Sequence, residues 1–463
     1  MIANQRNIIV ILNDDHGQWA MGAYGNREIR TPTLDHLART GVLMENAFTP
    51  TPVCSTARAC FYTGRLASQH GVHDYISNET RFFERDWLGN EVTLPELLRD
   101  TGYQTALCGK WHLGNDSVAQ HGFEYWSSLS GDYPIDAKSA HRYSIGGQMQ
   151  LIQGYKSQVI TDHAISFLRQ REPRRPFFLF IGHTATHSPW ADHPERLVES
   201  YRQCRFDDIP RYPAYPFGRQ ALESVEFADR RHGRESLAQY YAAVTTLDEA
   251  TGRLLDELEA QNLADKTLVV YTSDHGLCCG HHGIWGKGNG TMPLNMVEES
   301  IRIPLIFNHP DGIFGGQRRA EPVDHLDVFQ TLLAFAGVPC PARGPDYYPG
   351  RSFLPMITNG DLPSPWRDTQ FAEFGDVRMI RTRRHKLVTR QGSGAVQLFD
   401  LADDPAESVN LAGEPEHANL VTRLTVALDT HFGRYESLEH SGRRPGGPEP
   451  TNLSSPWARV QHE

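Results

Sequence analysis

The stretch Asn7-Ile8-Ile9-Val10-Ile11-Leu12-Asn13-Asp14-Asp15-His16 decides how the chain is read. Residues 8–12 are apolar and mostly β-branched, without a polar interruption, which is the pattern of a central parallel strand buried on both faces. Two adjacent carboxylates and a histidine follow at once. Ligands of open parallel sheets gather at the carboxyl ends of strands, so Asp14 and Asp15 form a candidate oxygen site for a hard cation. An acidic turn is the plain alternative, because Asn and Asp favour turns.

Working outward, the same alternation returns. Residues 105–108, 177–181, 267–272 and 303–307 read as further strands, 177–181 and 303–307 as buried runs. Between them lie helical signals. Thr33 caps a short helix through Leu34, Leu37 and Ala38 that stops at Gly41. Thr93-Leu94-Pro95-Glu96 is a capping box with proline in the first turn. Val159, His163, Ala164, Phe167 and Leu168 keep helical spacing, as do Leu237, Tyr240, Tyr241, Val244, Leu247, Leu254 and Leu258. Residues 324–335 close at Gly337. The fold class is therefore α/β, a large mostly parallel sheet sandwiched by helices, over residues 1–350. Prolines and glycines accumulate over residues 340–350 and mark a boundary. Beyond it, residues 371–374, 377–382, 386–390 and 396–401 read as an antiparallel meander, followed by a helix over 414–432. Residues 351–463 are thus a smaller C-terminal α+β subdomain built on an antiparallel sheet, with a tail from Ser441 that is loose or draped on the surface.

The chain has 463 residues and a net charge of -11, from 56 acidic and 45 basic side chains. It offers no basic field for nucleic acid or an anionic membrane, so an anionic substrate must meet locally placed cations. Seven cysteines lack zinc-ligand spacing, and Cys278 and Cys279 are adjacent. That argues for a reducing compartment, and the polar start before a short apolar run reads as neither leader nor membrane span, so the expected location is the cytoplasm.

Chemistry concentrates in five places. The run Pro52-Val-Cys54-Ser-Thr-Ala-Arg58-Ala-Cys-Phe-Tyr-Thr-Gly-Arg65 sets Cys54 and Arg58 four apart. A helix starting at the cysteine puts both on one face, with amide N–H groups directed at a bound anion. A small buried hydrophobe is the ordinary role of a free cysteine. After the strand at 105–108, alternation sets Lys110 and His112 on one side, a point charge beside a proton carrier. Thr186-His187-Ser188-Pro189 and Ser273-Asp274-His275-Gly276 also follow strands, so Asp274 and His275 converge on Asp14 and Asp15 if those strands are neighbours. Lys287 lies in a glycine-rich segment. Residues 127–154 and the irregular stretch 192–233 are the expected seats of selectivity, with Tyr133, His141, Arg142, Arg205, Arg211 and Tyr215 as candidate contacts.

Taken in order, these motifs resemble the type I, formylglycine-dependent sulfatase family of the alkaline-phosphatase-like superfamily. The likeness extends to Glu298-Glu299-Ser300-Ile301-Arg302-Ile303-Pro304, to Leu398-Phe399-Asp400-Leu401 with Asp404-Pro405, and to Asn410-Leu411. The resemblance implies that Asp14, Asp15, Asp274 and His275, with the modified Cys54, hold a divalent cation, Ca2+ or else Mg2+ or Mn2+. It implies that a maturation enzyme oxidises Cys54 to formylglycine, whose hydrated aldehyde attacks sulfur and later releases sulfate. Arg58, Lys110 and Lys287 would offset charge on the transferring group, His112 would orient or deprotonate the nucleophile, and His187 would protonate the leaving alkoxide. The substrate would be a small-molecule or saccharide sulfate ester. One residue departs from the pattern: Thr56 stands where the family has Pro or Ala, so conversion of Cys54 depends on a maturation enzyme that accepts threonine. Two other readings share the residues, a phosphonate or phosphate ester hydrolase and a non-catalytic anion-binding protein with unmodified Cys54. Retention of Asp15 favours sulfate over the first, and retention of Lys110, His112, His187 and Lys287 together argues against the second.

Overall fold

Residues 8–12 do form the central strand, and the computed structural model describes residues 6–89, 91–131, 138, 140–221, 230–309, 315–341, 347–358, 365–391 and 394–457. The main sheet contains, in chain order, β1 (Asn7–Asn13), β2 (Val42–Met44), β3 (Gln104–Lys110), β4 (Tyr125–Leu129), β5 (Ala140–Ile145), β6 (Gln148–Gln153), β7 (Phe177–His183), β8 (Thr267–Ser273), β9 (Leu305–Asn308) and β10 (Gln317–Arg319). Their spatial order is β10-β2-β9-β8-β1-β7-β3-β4-β5-β6. The middle five, β8-β1-β7-β3-β4, are parallel, and antiparallel strands flank them on both sides. Register places Asn13 beside both Ser273 and His183, so three strands end level and release their next residues at one point. The run at 303–307 differs from its reading: Pro304 has no amide to donate, pairing starts at Leu305, and β9 runs antiparallel to β8.

Side-chain alternation along β1 explains the layers. Ile8, Val10 and Leu12 join one core with Phe61 and Phe329, which belong to α2 (Cys54–Thr63) and α6 (His325–Ala336). Ile9 and Ile11 join the opposite core with Leu34, Ile160 and Leu254, from α1 (Pro32–Thr40), α4 (Lys156–Gln170) and α5 (Arg230–Ala260). The capping box opens α3 (Leu94–Asp100), with Thr93 accepting from the Glu96 amide. The cap of α1 is not Thr33. Thr31 holds that position, and the Asp248 carboxylate reaches across from α5 to accept from the amides of Thr33 (3.2 Å) and Leu34 (2.8 Å).

The late strands β11 (Gln370–Phe374), β12 (Val377–Arg381), β13 (His385–Arg390) and β14 (Val396–Asp400) form the expected antiparallel meander, followed by α7 (Ala418–Tyr435). One face of this sheet packs Ala372, Phe374 and Met379 against Phe48 and Val53, just ahead of α2. The other packs Ile380, Leu387 and Leu398 against Leu428 and Phe432 of α7 and against Cys60 of α2. The tail is held down rather than loose, with Thr451, Asn452 and Ser455 buried. Among the described residues no helix is long and apolar enough to cross a membrane.

Candidate active site

Cys54 is the first residue of α2, directly after the extended Val53, and its thiol is 2% exposed at the level where β1 and β8 end. Gly64 closes α2 in the left-handed region (φ 67°), and a Cβ there would stand 2.5 Å from the Phe329 ring, so glycine lets α2 sit tightly on α6. A strand would send Asp14 and Asp15 to opposite faces. Instead β1 ends at Asn13 and Asp15 turns left-handed (φ 64°), an uncommon conformation for a residue with a side chain, which aspartate tolerates better than most and which recurs at functional sites.

Around the Cys54 Sγ lie Asp14 Oδ1 at 3.2 Å, His275 Nε2 at 3.3 Å and Lys287 Nζ at 2.9 Å. Lys287 also donates to Asp15 Oδ1 at 2.7 Å, and Lys110 forms a buried ion pair with Asp14. One donor atom each from Asp14, Asp15, Cys54 and His275 falls within 4.8 Å of all the others. His275 Nδ1 faces the Gly276 carbonyl at 2.9 Å and must donate to it, which leaves Nε2 turned into the cluster. Hard carboxylate oxygens and an oriented imidazole fit a divalent cation. Asp274 lies just outside that donor set. Its Oδ1 accepts from the amides of Asp15 and His275, and its Oδ2 from Arg58 Nε at 3.1 Å.

The electrostatics are those of charges crowded in a dry site. Burial alone would raise the Cys54 thiol, but Lys287, Lys110 and His275 outweigh it and hold the thiol well below its ordinary value. Burial and the neighbouring Asp14 push Asp274 up to about 7, whereas at Asp14 the lysines and His187 overcome burial and the carboxyl is lowered. His275 rises to about 9, since Asp274 more than offsets its burial. His112 goes the other way, to about 4, through burial and then Lys110. Its Nε2 donates to the Ile76 carbonyl at 3.1 Å, so Nδ1 is the free acceptor, and it is buried. His187 donates from Nδ1 to the Ser188 carbonyl at 2.6 Å, leaving Nε2 available. Burial opposes its protonation, but Asp15 and Asp14 carry its pKa above the ordinary value.

These side chains open into a cavity of about 420 Å³. Asp14, Asp15, Cys54, Lys110 and Lys287 line its floor, with His112 and His187 on its walls. Arg58 does not reach it. Buried in α2, the guanidinium pairs with Asp274 and donates to the Lys110 carbonyl at 2.9 Å, one layer beneath the cavity. Lys110 and His112 do both line the cavity, though not through extended-chain alternation. Lys110 ends β3, and His112 adopts φ 63°, which turns its ring back towards α2. Apart from His193, which falls in the stretch 192–233, the outer wall was missed in the sequence. It comprises Tyr75, Tyr155, Lys156, Trp190, His193 and Trp285, with the two indoles 5.7 Å apart. Of these, Trp190 and Trp285 could have been found, since each stands within three residues of a site residue, His187 or Lys287. None of His141, Arg142, Arg205, Arg211 and Tyr215 lines the cavity, and Tyr133 lies outside the described residues. Tyr215 packs instead with Cys278, Ile284 and Val297, and Arg205 pairs with Asp207 on the surface.

Cations gathered around one buried, anion-bearing centre suit an ester of a tetrahedral oxyanion, and a hydrolase of such esters is the class this fold and floor define. The chain belongs to the sulfatase family, type I within the alkaline-phosphatase-like superfamily: the model described as Sulfatase matches residues 6–338. A second model, described as N-sulphoglucosamine sulphohydrolase, C-terminal, matches residues 280–432. The chain is an enzyme of this family, a sulfatase. It is 28% identical to an N-acetylglucosamine-6-O-sulfatase of Bacteroides thetaiotaomicron, over 93% of this chain and 87% of the relative. It is also 28% identical to a choline-sulfatase of Rhizobium meliloti, over 94% and 88%. A structure solved with its substrate, D-glucosamine-2-N,6-O-disulfate, superposes with a TM-score of 0.79 at 27% identity, covering 93% of this chain and 98% of that one.

Proposed function

We propose that this sulfatase hydrolyses a saccharide sulfate monoester using formylglycine made from Cys54 and a divalent cation, Ca2+ by preference, held by Asp14, Asp15 and His275. The observation that carries the proposal is the placement of Cys54 at the start of α2 within 3.3 Å of Asp14, His275 and Lys287. Oxidised and hydrated, Cys54 would supply an oxygen nucleophile, and the bound cation would polarise the sulfate oxygens. The protein's own side chains do the rest. Lys110 and Lys287 stand where negative charge collects on the transferring group, inside a buried floor where such charges act strongly. His112, kept neutral by burial and Lys110, holds a proton acceptor at Nδ1 beside position 54. His187, whose pKa is raised, holds a proton at Nε2 for the departing alkoxide. Arg58 fixes Asp274, whose Oδ1 in turn orders the backbone of Asp15 and His275. The aromatic wall of Tyr75, Tyr155, Trp190 and Trp285 suits the flat faces of a sugar ring. Seven unpaired thiols support a reducing, cytoplasmic setting, with a maturation enzyme acting on Cys54 there.

The test is mass spectrometry of the tryptic peptide covering residues 40–58, where Cys54 is the sole cysteine, alongside hydrolysis of 4-nitrophenyl sulfate. An aldehyde mass together with sulfate release is expected. An unmodified thiol in active enzyme would refute the formylglycine route.

A further inference from the structure

The wall of the cavity formed by residues 75–78 has no secondary structure of its own to hold it. Its backbone is fastened from two sides. On the inner side Ser55, next to Cys54, accepts from the Ile76 amide at 2.9 Å. On the outer side the tail of the chain takes over. The Ser77 amide donates to the Thr451 carbonyl (3.1 Å), while the Thr451 hydroxyl (2.7 Å) and the Asn452 side-chain Nδ2 (2.8 Å) both donate to the Tyr75 carbonyl. Ser455 donates to the buried Asp74 carboxylate at 2.6 Å, and Asp74 Oδ1 accepts from the Tyr75 amide at 2.8 Å. Thr451, Asn452 and Ser455 are each no more than 1% exposed, and Trp457 anchors the segment against Phe374. Between the two fastenings lies the Ile76 carbonyl that accepts from His112 Nε2 and thereby turns His112 Nδ1 towards position 54.

We propose that Thr451 and Asn452 are positioning residues for the active site: the tail clasps residues 74–78, and through the Ile76 carbonyl it sets the His112 ring. The tail lies beyond both family-model matches, which end at residues 338 and 432, whereas the segment it clasps lies within the first. Three hydrogen bonds join Thr451 and Asn452 to Tyr75 and Ser77, the residues on either side of Ile76, so their loss loosens the carbonyl that holds His112. A ring displaced by about 1 Å at a reacting centre loses up to roughly 100-fold in rate. Partial release predicts a smaller loss, expressed in kcat for a small aryl sulfate that makes little use of the Tyr75 wall, because His112 acts on the chemical step.

The inference uses the sulfatase reading for its activity readout only. The full chain and the double variant Thr451→Val/Asn452→Ala are compared with 4-nitrophenyl sulfate, normalised to the aldehyde content of the peptide covering residues 40–58. Expected is a fall of about ten-fold in kcat with KM within about two-fold, while Thr451→Ser, which keeps the hydroxyl, retains the parent kcat. Amide exchange in the segment 74–78 is measured in parallel and should quicken by about ten-fold in the double variant. A kcat within about two-fold of the parent, or a fall that Thr451→Ser shares, overturns the clasp. Should the parent itself leave 4-nitrophenyl sulfate untouched, the fault lies with the activity reading, and the exchange measurement decides: unchanged exchange at 74–78 overturns the clasp and faster exchange upholds it. If the double variant does not fold, Thr451→Val against Thr451→Ser gives the same comparison.

Discussion

The proposed cation binding at Asp14, Asp15 and His275 makes a quantitative demand on stability. A ligand that binds only the folded chain adds about 2.7 kcal/mol at 100 times its dissociation constant. Unfolding entropy of about 2.1 cal/mol/K per residue, over 463 residues, amounts to about 1 kcal/mol/K near the midpoint. Saturating Ca2+ should therefore raise Tm by about 3 °C over protein treated with a chelator, with larger shifts at higher excess. Protons compete for the same site. Without the cation His275 is held up at about 9, burial being outweighed by Asp274, so it is protonated at pH 7 and must release that proton before Nε2 can bind a cation. Below that value each unit of pH gained should tighten apparent affinity by about ten-fold, or about 1.4 kcal/mol, and the Ca2+-induced shift should grow from pH 6.5 to 8.5. Differential scanning fluorimetry across Ca2+ concentration and pH reads both effects. The double variant Asp14→Asn/Asp15→Asn should show neither. An equal shift in that variant, or none in the parent, would refute this ligand set.

Lys287 stands 2.7 Å from Asp15 and 2.9 Å from the Cys54 sulfur, so Lys287→Met should cost roughly 100- to 1,000-fold in kcat while leaving the chain folded by circular dichroism. Asp248 caps α1 from a buried position, and burial raises its carboxyl from 3.8 to about 6. Between those values the folded chain keeps a proton that the unfolded chain has lost. Its contribution to stability therefore falls as pH rises through that window, by up to about 3 kcal/mol. Denaturant titration should accordingly find the stability of the parent minus that of Asp248→Asn declining from pH 4 to 6 and level above it.

Much of this was legible because it is local. An uninterrupted apolar run at 8–12 cannot satisfy both of its faces except inside a covered sheet, and the capping box at Thr93 and Glu96 needs only four residues to close. Placement of Asp14, Asp15, Asp274 and His275 at strand ends was equally local, and the level register of β1 and β8 then brought them together. The cap of α1 was misread because its decisive acceptor, Asp248, lies 214 residues from Leu34. Helical spacing put Cys54 and Arg58 on one face, but spacing gives a face and not a depth. In the folded chain that face looks at Asp274 beneath the cavity.

The amino-acid sequence by itself determined the layered α/β class, the late antiparallel sheet and the identity of the charged and nucleophilic groups, since periodicity and strand-end chemistry act over a few residues. Tertiary structure alone decided which of those groups face the cavity, which aromatic rings wall it, and that the tail returns to grip residues 74–78. Those outcomes depend on contacts such as Asn452 with Tyr75, 377 residues apart, whose geometry is set by how whole layers pack.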